Sequence, residues 1–233
     1  MARLCFDYGH GGSDPGAVYM GRKEADDVLS LGQAVAAVLK RHGIIVDETR
    51  TADVSLSLKA RCDFENKGTF DYFISFHRNA FKPEASAGVE TYTYLNPGAK
   101  SKGLAEKIQS SLVGVGFVNR GVKTANFQVL RETRAPAVLI EIGFIDNSQD
   151  NALFDTQRDE IVKAVAGAIL SQLGLAYIKE SKNGLEGALE VLVRNGILKS
   201  PGYWLENARK GQIVNGEYAG TLIERMAEYI SSR

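Results

Sequence analysis

The chain has 233 residues, 44% of them hydrophobic and 24% charged, which is enough apolar material for the packed core of a soluble globular protein and too much for intrinsic disorder. Its 28 lysines and arginines balance 28 aspartates and glutamates and are scattered, which excludes the electrostatic footprint of a nucleic-acid binder. No apolar run reaches the roughly 18 residues of a membrane span, so no membrane insertion is expected.

Short apolar runs alternate with segments of helical period as far as Leu173, the pattern of an α/β domain with a largely parallel sheet. Residues 4–8 read as a buried strand, and 24–41 as a helix with Val28, Leu31, Val35 and Val38 on one face and Gly43 placed to end it. A strand at 44–48, a helix at 55–66 and a strand at 72–77 continue the rhythm. Residues 88–94, rich in valine, tyrosine and threonine, give another strand, and 99–113 the helix after it. Residues 119–125 are glycine-rich and polar. Residues 127–130 and 137–142 read as the last strands, and 158–173 as a closing helix with Ile161, Val165, Ala168 and Ile169 turned inward. These elements make up a first domain, 1–176.

The polar stretch YIKESKNG, 177–184, reads as a linker. Beyond it the pattern is helical only, giving a small all-α domain over 185–233. Leu185, Leu189, Leu192 and Val193 form one apolar face, 201–209 a second helix with Pro201 in its first turn, and 218–230 a third. About fifty residues in three short helices are marginal alone, so packing on a partner, a second copy or the first domain is expected. Cys5 and Cys62 lack the spacing of a metal knuckle and read as buried thiols.

Four residues carry the chemistry. His10 sits where the first strand ends, inside GHGGSDPGA, so its imidazole projects from the carboxyl edge of the sheet, where open α/β folds bind ligands. A turn histidine or a glycine-rich phosphate cradle would also fit, although no Gly-Lys-Ser/Thr closes the loop. His77 ends the third strand in the same way, whereas His42 falls at a helix end where capping suffices. Glu24 opens the first helix, a place where a carboxylate contributes about 0.3–1 kcal/mol against the helix dipole and needs no other function. Glu141 interrupts the apolar run AVLIEIGF. A buried carboxylate there needs a partner cation, such as Arg61 or Arg131, or a raised pKa of the kind a general base requires. Two histidines and a carboxylate from separate βα turns match the three protein ligands of a catalytic zinc, with a second carboxylate beside the open position. The same set also suits Fe(II) in an oxygenase, though those usually occupy all-β barrels.

In order along residues 1–174, the chain carries GHGGSDPGA, the helix-opening Glu24, TRTAD at 49–53, 56–61, SFHRNA and PAVLIEIGFIDN. In these motifs it resembles the zinc-dependent N-acetylmuramoyl-L-alanine amidases of the amidase type 3 family, found in bacterial autolysins and phage endolysins. The resemblance implies a twisted, mostly parallel sheet flanked by helices, one Zn2+ per chain on His10, Glu24 and His77, and Glu141 as catalytic base. It implies bacterial peptidoglycan as the partner and cleavage between the lactyl group of the glycan and the L-alanine of the stem peptide. A zinc peptidase acting within the stem, or a wall-binding protein without turnover, stands as the alternative. Arg78 departs from the family, which commonly has a small residue there, and is expected as a long cation able to meet a stem carboxylate; Asn79, Asn126 and Arg131 are further expected groove residues. The N-terminus enters its strand with no basic and apolar leader, so synthesis in the cytoplasm without a signal peptide is expected, with action on the wall after release through a membrane lesion or lysis. The C-terminal helices resemble modules of phage lysins and clostridial wall proteins, for wall binding or a homodimer; Tyr203 and Trp204 would stack on sugars or anchor the small core.

Overall fold

The computed structural model describes residues 1–178, 184–209 and 211–231, which fall into two compact units, Met1–Tyr177 and Ile178–Arg233. The expected linker lies mainly outside the described residues.

In the first unit, strand β1 (Arg3–Tyr8) leads through two short strands, β2 (Val18–Tyr19) and β3 (Arg22–Lys23), into helix α1 (Glu24–Arg41). Then come β4 (Ile45–Glu48), α2 (Leu58–Asn66), β5 (Tyr72–Asn79), β6 (Val89–Thr93) and α3 (Ala99–Val115). The unit closes with β7 (Asn119–Thr124), α4 (Gln128–Arg131), β8 (Ala137–Phe144), α5 (Ser148–Thr156) and α6 (Arg158–Gln172). Among the described residues one six-stranded sheet forms, in the order β4-β1-β5-β8-β6-β7. Every pairing in it is parallel except β6 with β8.

Alternation along the strands sorts side chains onto the two faces. Leu4, Phe6, Tyr8, Ile74, Phe76, Val138 and Ile140 join a large core with residues of α1, α3 and α6. Cys5, Phe73 and Leu139 face the other way, onto Cys62 of α2 and onto Val129 and Leu130 at α4; both cysteines are free. The chain leaves β1 for β4 on one side and returns to β5 on the other, so a topological switch point lies between the carboxyl ends of β1 and β5. His10 and His77 follow or end those two strands.

One expected element changes, and one stretch without an assigned element gains one. Residues 127–130 form a helical turn rather than a strand, with Leu130 N and Arg131 N both donating to Phe127 O. That turn sends the adjacent Val129 and Leu130 into one core, which an alternating strand could not do. Residues 119–124 form the edge strand β7, whose mostly exposed residues lack the apolar alternation of a buried strand.

The second unit holds α7 (Gly184–Arg194), α8 (Gly202–Asn207) and α9 (Gly216–Ser231). Leu189, Ile197 and Leu198 are buried in it, and Tyr203 packs edge-on against both Trp204 and Tyr218. No helix among the described residues is long and apolar enough to cross a membrane.

Candidate metal centre

The turn after β1 is built to hold one imidazole. His10 adopts φ 60°, a left-handed conformation uncommon outside glycine and costing about 1–3 kcal/mol unless its surroundings enforce it. Two buried arginines supply that enforcement. Arg61 Nη2 donates to His10 O (2.7 Å) and Nη1 to Tyr8 O (2.6 Å) and Asp7 Oδ1 (2.8 Å). Arg50 donates to the carbonyls of Tyr8, Gly9 and Ala25, each at 2.8 Å. Asp7 also accepts from Thr49 and Ser75, so the strand end is tied from several sides. The loop must also lack side chains: a Cβ on Gly9 would stand 2.2 Å from His77 Cε1, and one on Gly16 would stand 2.7 Å from Glu24 Oε2.

Glu24 is buried at the start of α1 and lies between the two rings. Its Oε2 is 3.2 Å from His10 Nε2, and its Oε1 is 2.9 Å from His77 Nδ1. Backbone N–H groups of Ala17 and Arg78 donate to the same two oxygens, fixing the carboxylate. On its far side His10 Nδ1–H donates to Asp14 Oδ2 (2.9 Å), which turns Nε2 toward Glu24. One ligand atom from each of His10, Glu24 and His77 lies within 4.8 Å of the others. Tetrahedral zinc with bonds of about 2.0–2.1 Å needs ligand atoms about 3.3 Å apart, so the three side chains are close enough to close on a single ion.

Electrostatics of the cluster agree with the geometry. Burial disfavours the charge of Glu24, but hydrogen bonds to both imidazoles outweigh it and hold the carboxyl well below the usual carboxylate range. Burial opposes protonation of His10 as well, yet Glu24 and then Asp14 raise it to about 9. His77 is raised for the same reason, Glu24 overcoming burial.

Glu141 stands beside this cluster. It pairs in register with His77 across β5 and β8, both side chains on the same face of the sheet. Its Oε2 is buried without a hydrogen-bond partner among the described residues, and burial raises its pKa to about 7 despite the lowering influence of His77. The arginines that could have neutralised it are engaged elsewhere: Arg61 on Asp7, and Arg131 on Asn126 and Glu132.

The remaining expected site residues divide. Arg78 follows His77 in β5 and therefore points to the opposite face. Its guanidinium is fully buried, 2.7 Å from Asp27 Oδ2 and stacked 4.2 Å over Phe154, so the expected contact with a stem carboxylate is corrected to an internal ion pair. Asn79 Nδ2 donates to Glu90 Oε2 (3.2 Å), in the strand next to Glu141. Asn126 and Arg131 bond to each other on the exposed loop around α4 (2.6 Å). Glu90 is a residue the sequence reading misses: it is buried, pairs in register with Glu141, and carries Arg120, Lys123 and Tyr92. Burial works against its charge, but Lys123, Tyr92 and Arg120 bring it down to about 2. The roles of Arg50, Arg61 and Asp14 are missed too, although each lies inside a stretch that the sequence singles out: TRTAD at 49–53, 56–61 and GHGGSDPGA.

Two imidazoles and a carboxylate at the switch point of an α/β sheet, with an unpaired acid one strand away, are the equipment of a metal-dependent hydrolase. Residues 4–171 match the Amidase_3 family model, described as N-acetylmuramoyl-L-alanine amidase, and the chain belongs to that family. It is 39% identical over 153 residues to the sporulation-specific N-acetylmuramoyl-L-alanine amidase of Bacillus subtilis (strain 168), a match covering 64% of this chain and 59% of that protein. The endolysin of Bacillus phage SPP1 is 38% identical over 174 residues, covering 71% of this chain and 63% of the endolysin. The chain thus spans about three fifths of the length of these curated relatives. Among solved structures, the catalytic domain of the amidase CwlV from Bacillus (Paenibacillus) polymyxa var. colistinus superimposes with a TM-score of 0.69 at 31% identity, covering 75% of this chain and 99% of that one.

Proposed function

We infer that the chain hydrolyses the amide between the lactyl group of N-acetylmuramic acid and the L-alanine of the stem peptide in bacterial peptidoglycan, using one zinc ion held by His10, Glu24 and His77. The observation that carries this is Glu141, whose buried Oε2 has no hydrogen-bond partner among the described residues, beside a ready donor set. Family membership and the relatives named as amidases support the choice of bond, and set aside the iron-oxygenase alternative.

When bound, zinc supplies a Lewis acid that makes water more acidic and stabilises negative charge on the carbonyl oxygen. The chain's own residues do the rest. Asp14 keeps His10 in the tautomer whose Nε2 lone pair is available. Glu24, fixed by two backbone N–H groups, sets the spacing of both rings. Glu141, in its ionised form, accepts a proton from the attacking water and delivers it to the L-alanine nitrogen as the C–N bond breaks, giving a lactyl carboxylate and a free amine. A proton affinity near neutrality suits both halves of that exchange.

Action outside the cytoplasm follows from this substrate, and release in the manner of a phage lysin is the route that the likeness to an endolysin supports. Exposed Val191, Ile223 and Ile230 in the C-terminal unit would suit pairing with a second copy.

Mass spectrometry of digested sacculi tests the reading. Stem peptides with a free N-terminal L-alanine, and glycan strands left intact, are expected. New amino termini inside the stem would mean a peptidase, and new reducing ends a glycosidase.

A further inference from the structure

We propose that Arg120 and Lys123, seated on the buried carboxylate of Glu90, form a subsite for a carboxylate of the substrate's stem peptide, a few residues beyond the bond that is cut. This inference rests on the amidase reading and adds a substrate contact to it.

The subsite follows from the order of strands. Glu141 of β8 stands opposite Glu90 of β6, and β6 is flanked in turn by β7, which carries Arg120 and Lys123. Glu90 is only 2% exposed and accepts from both cations, from Tyr92 and from Asn79, so its four donors fix it in place. Two cations on one carboxylate leave an excess positive charge at the rim. Both cations reach solvent, Arg120 at 34% and Lys123 at 40% side-chain exposure. The Arg120 guanidinium lies 4.9 Å over the Phe144 ring, and its two Nη nitrogens have no partner among the described residues, so a planar donor pair is held rigid and unspent. These groups border one surface depression that also includes Asn79 and Phe81.

The chemistry of the substrate decides what such a cation pair would meet. On the glycan side of the scissile bond the lactyl carboxyl is already consumed in the amide, so free carboxylates lie on the peptide. Two strand spacings separate β8 from β7, about 10 Å. An extended peptide advances about 3.4 Å per residue, which places the matching carboxylate about three residues along. Arg120 offers the bidentate geometry that carboxylates prefer, and Lys123 a second charge.

The test uses synthetic N-acetylmuramoyl peptides in which each stem carboxylate in turn is replaced by a carboxamide, with the zinc-loaded protein of residues 1–233. Wild type is expected to lose on the order of tenfold or more in kcat/KM, mainly through KM, for one member of the series. In a variant carrying Glu90→Gln, Arg120→Gln and Lys123→Gln together, which leaves no buried charge unpaired, kcat/KM for the parent peptide should fall to that of the amide, erasing the preference. Lys123→Gln alone keeps Arg120 on Glu90 and should lower the preference severalfold, which decides the matter if the triple variant does not fold. Equal cleavage of all members by wild type, or a preference that survives in the variants, overturns the subsite while leaving the amidase reading intact. Cleavage of none of them overturns both.

Discussion

Replacing Glu141 by glutamine removes one charge and little else. In the folded, metal-free chain this carboxyl is raised from 4.5 to about 7, an interval of 2.5 pH units, so at about 1.36 kcal/mol per unit its ionised form costs about 3 kcal/mol. Because the folded value lies above the unfolded one, the folded state binds the proton more tightly. That contribution is fully present below 4.5 and is lost as pH rises through 7. Urea unfolding in chelator from about pH 4 to about pH 8 measures the loss, with far-ultraviolet circular dichroism as the probe, since the single tryptophan, Trp204, reports on the C-terminal unit. The stability of Glu141→Gln relative to wild type should grow by about 3 kcal/mol across that range. Its hydrolysis of walls, with zinc restored, should fall by on the order of 100- to 10,000-fold. A stability difference that ignores pH would show that burial does not hold the proton on Glu141. A glutamine variant with full hydrolysis would remove the residue from the reaction.

Gly9→Ala puts a methyl 2.2 Å from His77 Cε1, so the protein should keep its circular dichroism yet bind zinc about 10- to 100-fold more weakly; unchanged affinity would contradict the packing argument. Arg61→Met leaves the fully buried Asp7 without its cation and should cost about 3–5 kcal/mol in urea unfolding, whereas a loss under about 1 kcal/mol would mean that Thr49 and Ser75 suffice. His10, raised to about 9 because Glu24 and Asp14 outweigh burial, is protonated at pH 7 in the metal-free chain. Zinc must displace that proton, so calorimetry in buffers of different ionisation enthalpy should show proton release, and apparent affinity should weaken as pH falls below 9. Binding without proton release would contradict it.

The site is legible in the sequence where a residue breaks a local pattern. His10 and His77 end apolar strands, and Glu141 interrupts one, so each stands out against its neighbours. Glu24 does not, because a carboxylate at a helix start is ordinary; only the family motifs single it out, and the structure brings it between the two rings. Arg78 was within reach of the same alternation that placed His77, since adjacent strand residues face opposite ways, but its partners Asp27 and Phe154 lie far away in sequence. Glu90 is silent for the same reason, and Arg50 and Arg61 lie inside quoted motifs that do not disclose their roles: each is explained by partners that only the fold supplies. The β6–β8 antiparallel pairing is likewise a tertiary outcome, since strand composition carries no direction.

Titrating the chelator-stripped protein with zinc, while following release of soluble stem peptide from purified walls, puts the metal-dependent amidase to the most direct trial. Activity should rise in proportion to added metal and level off at one equivalent, and His77→Ala should show no such rise. Full peptide release by the stripped protein in excess chelator, or a plateau that His77→Ala shares, would contradict a single ion gripped by His10, Glu24 and His77.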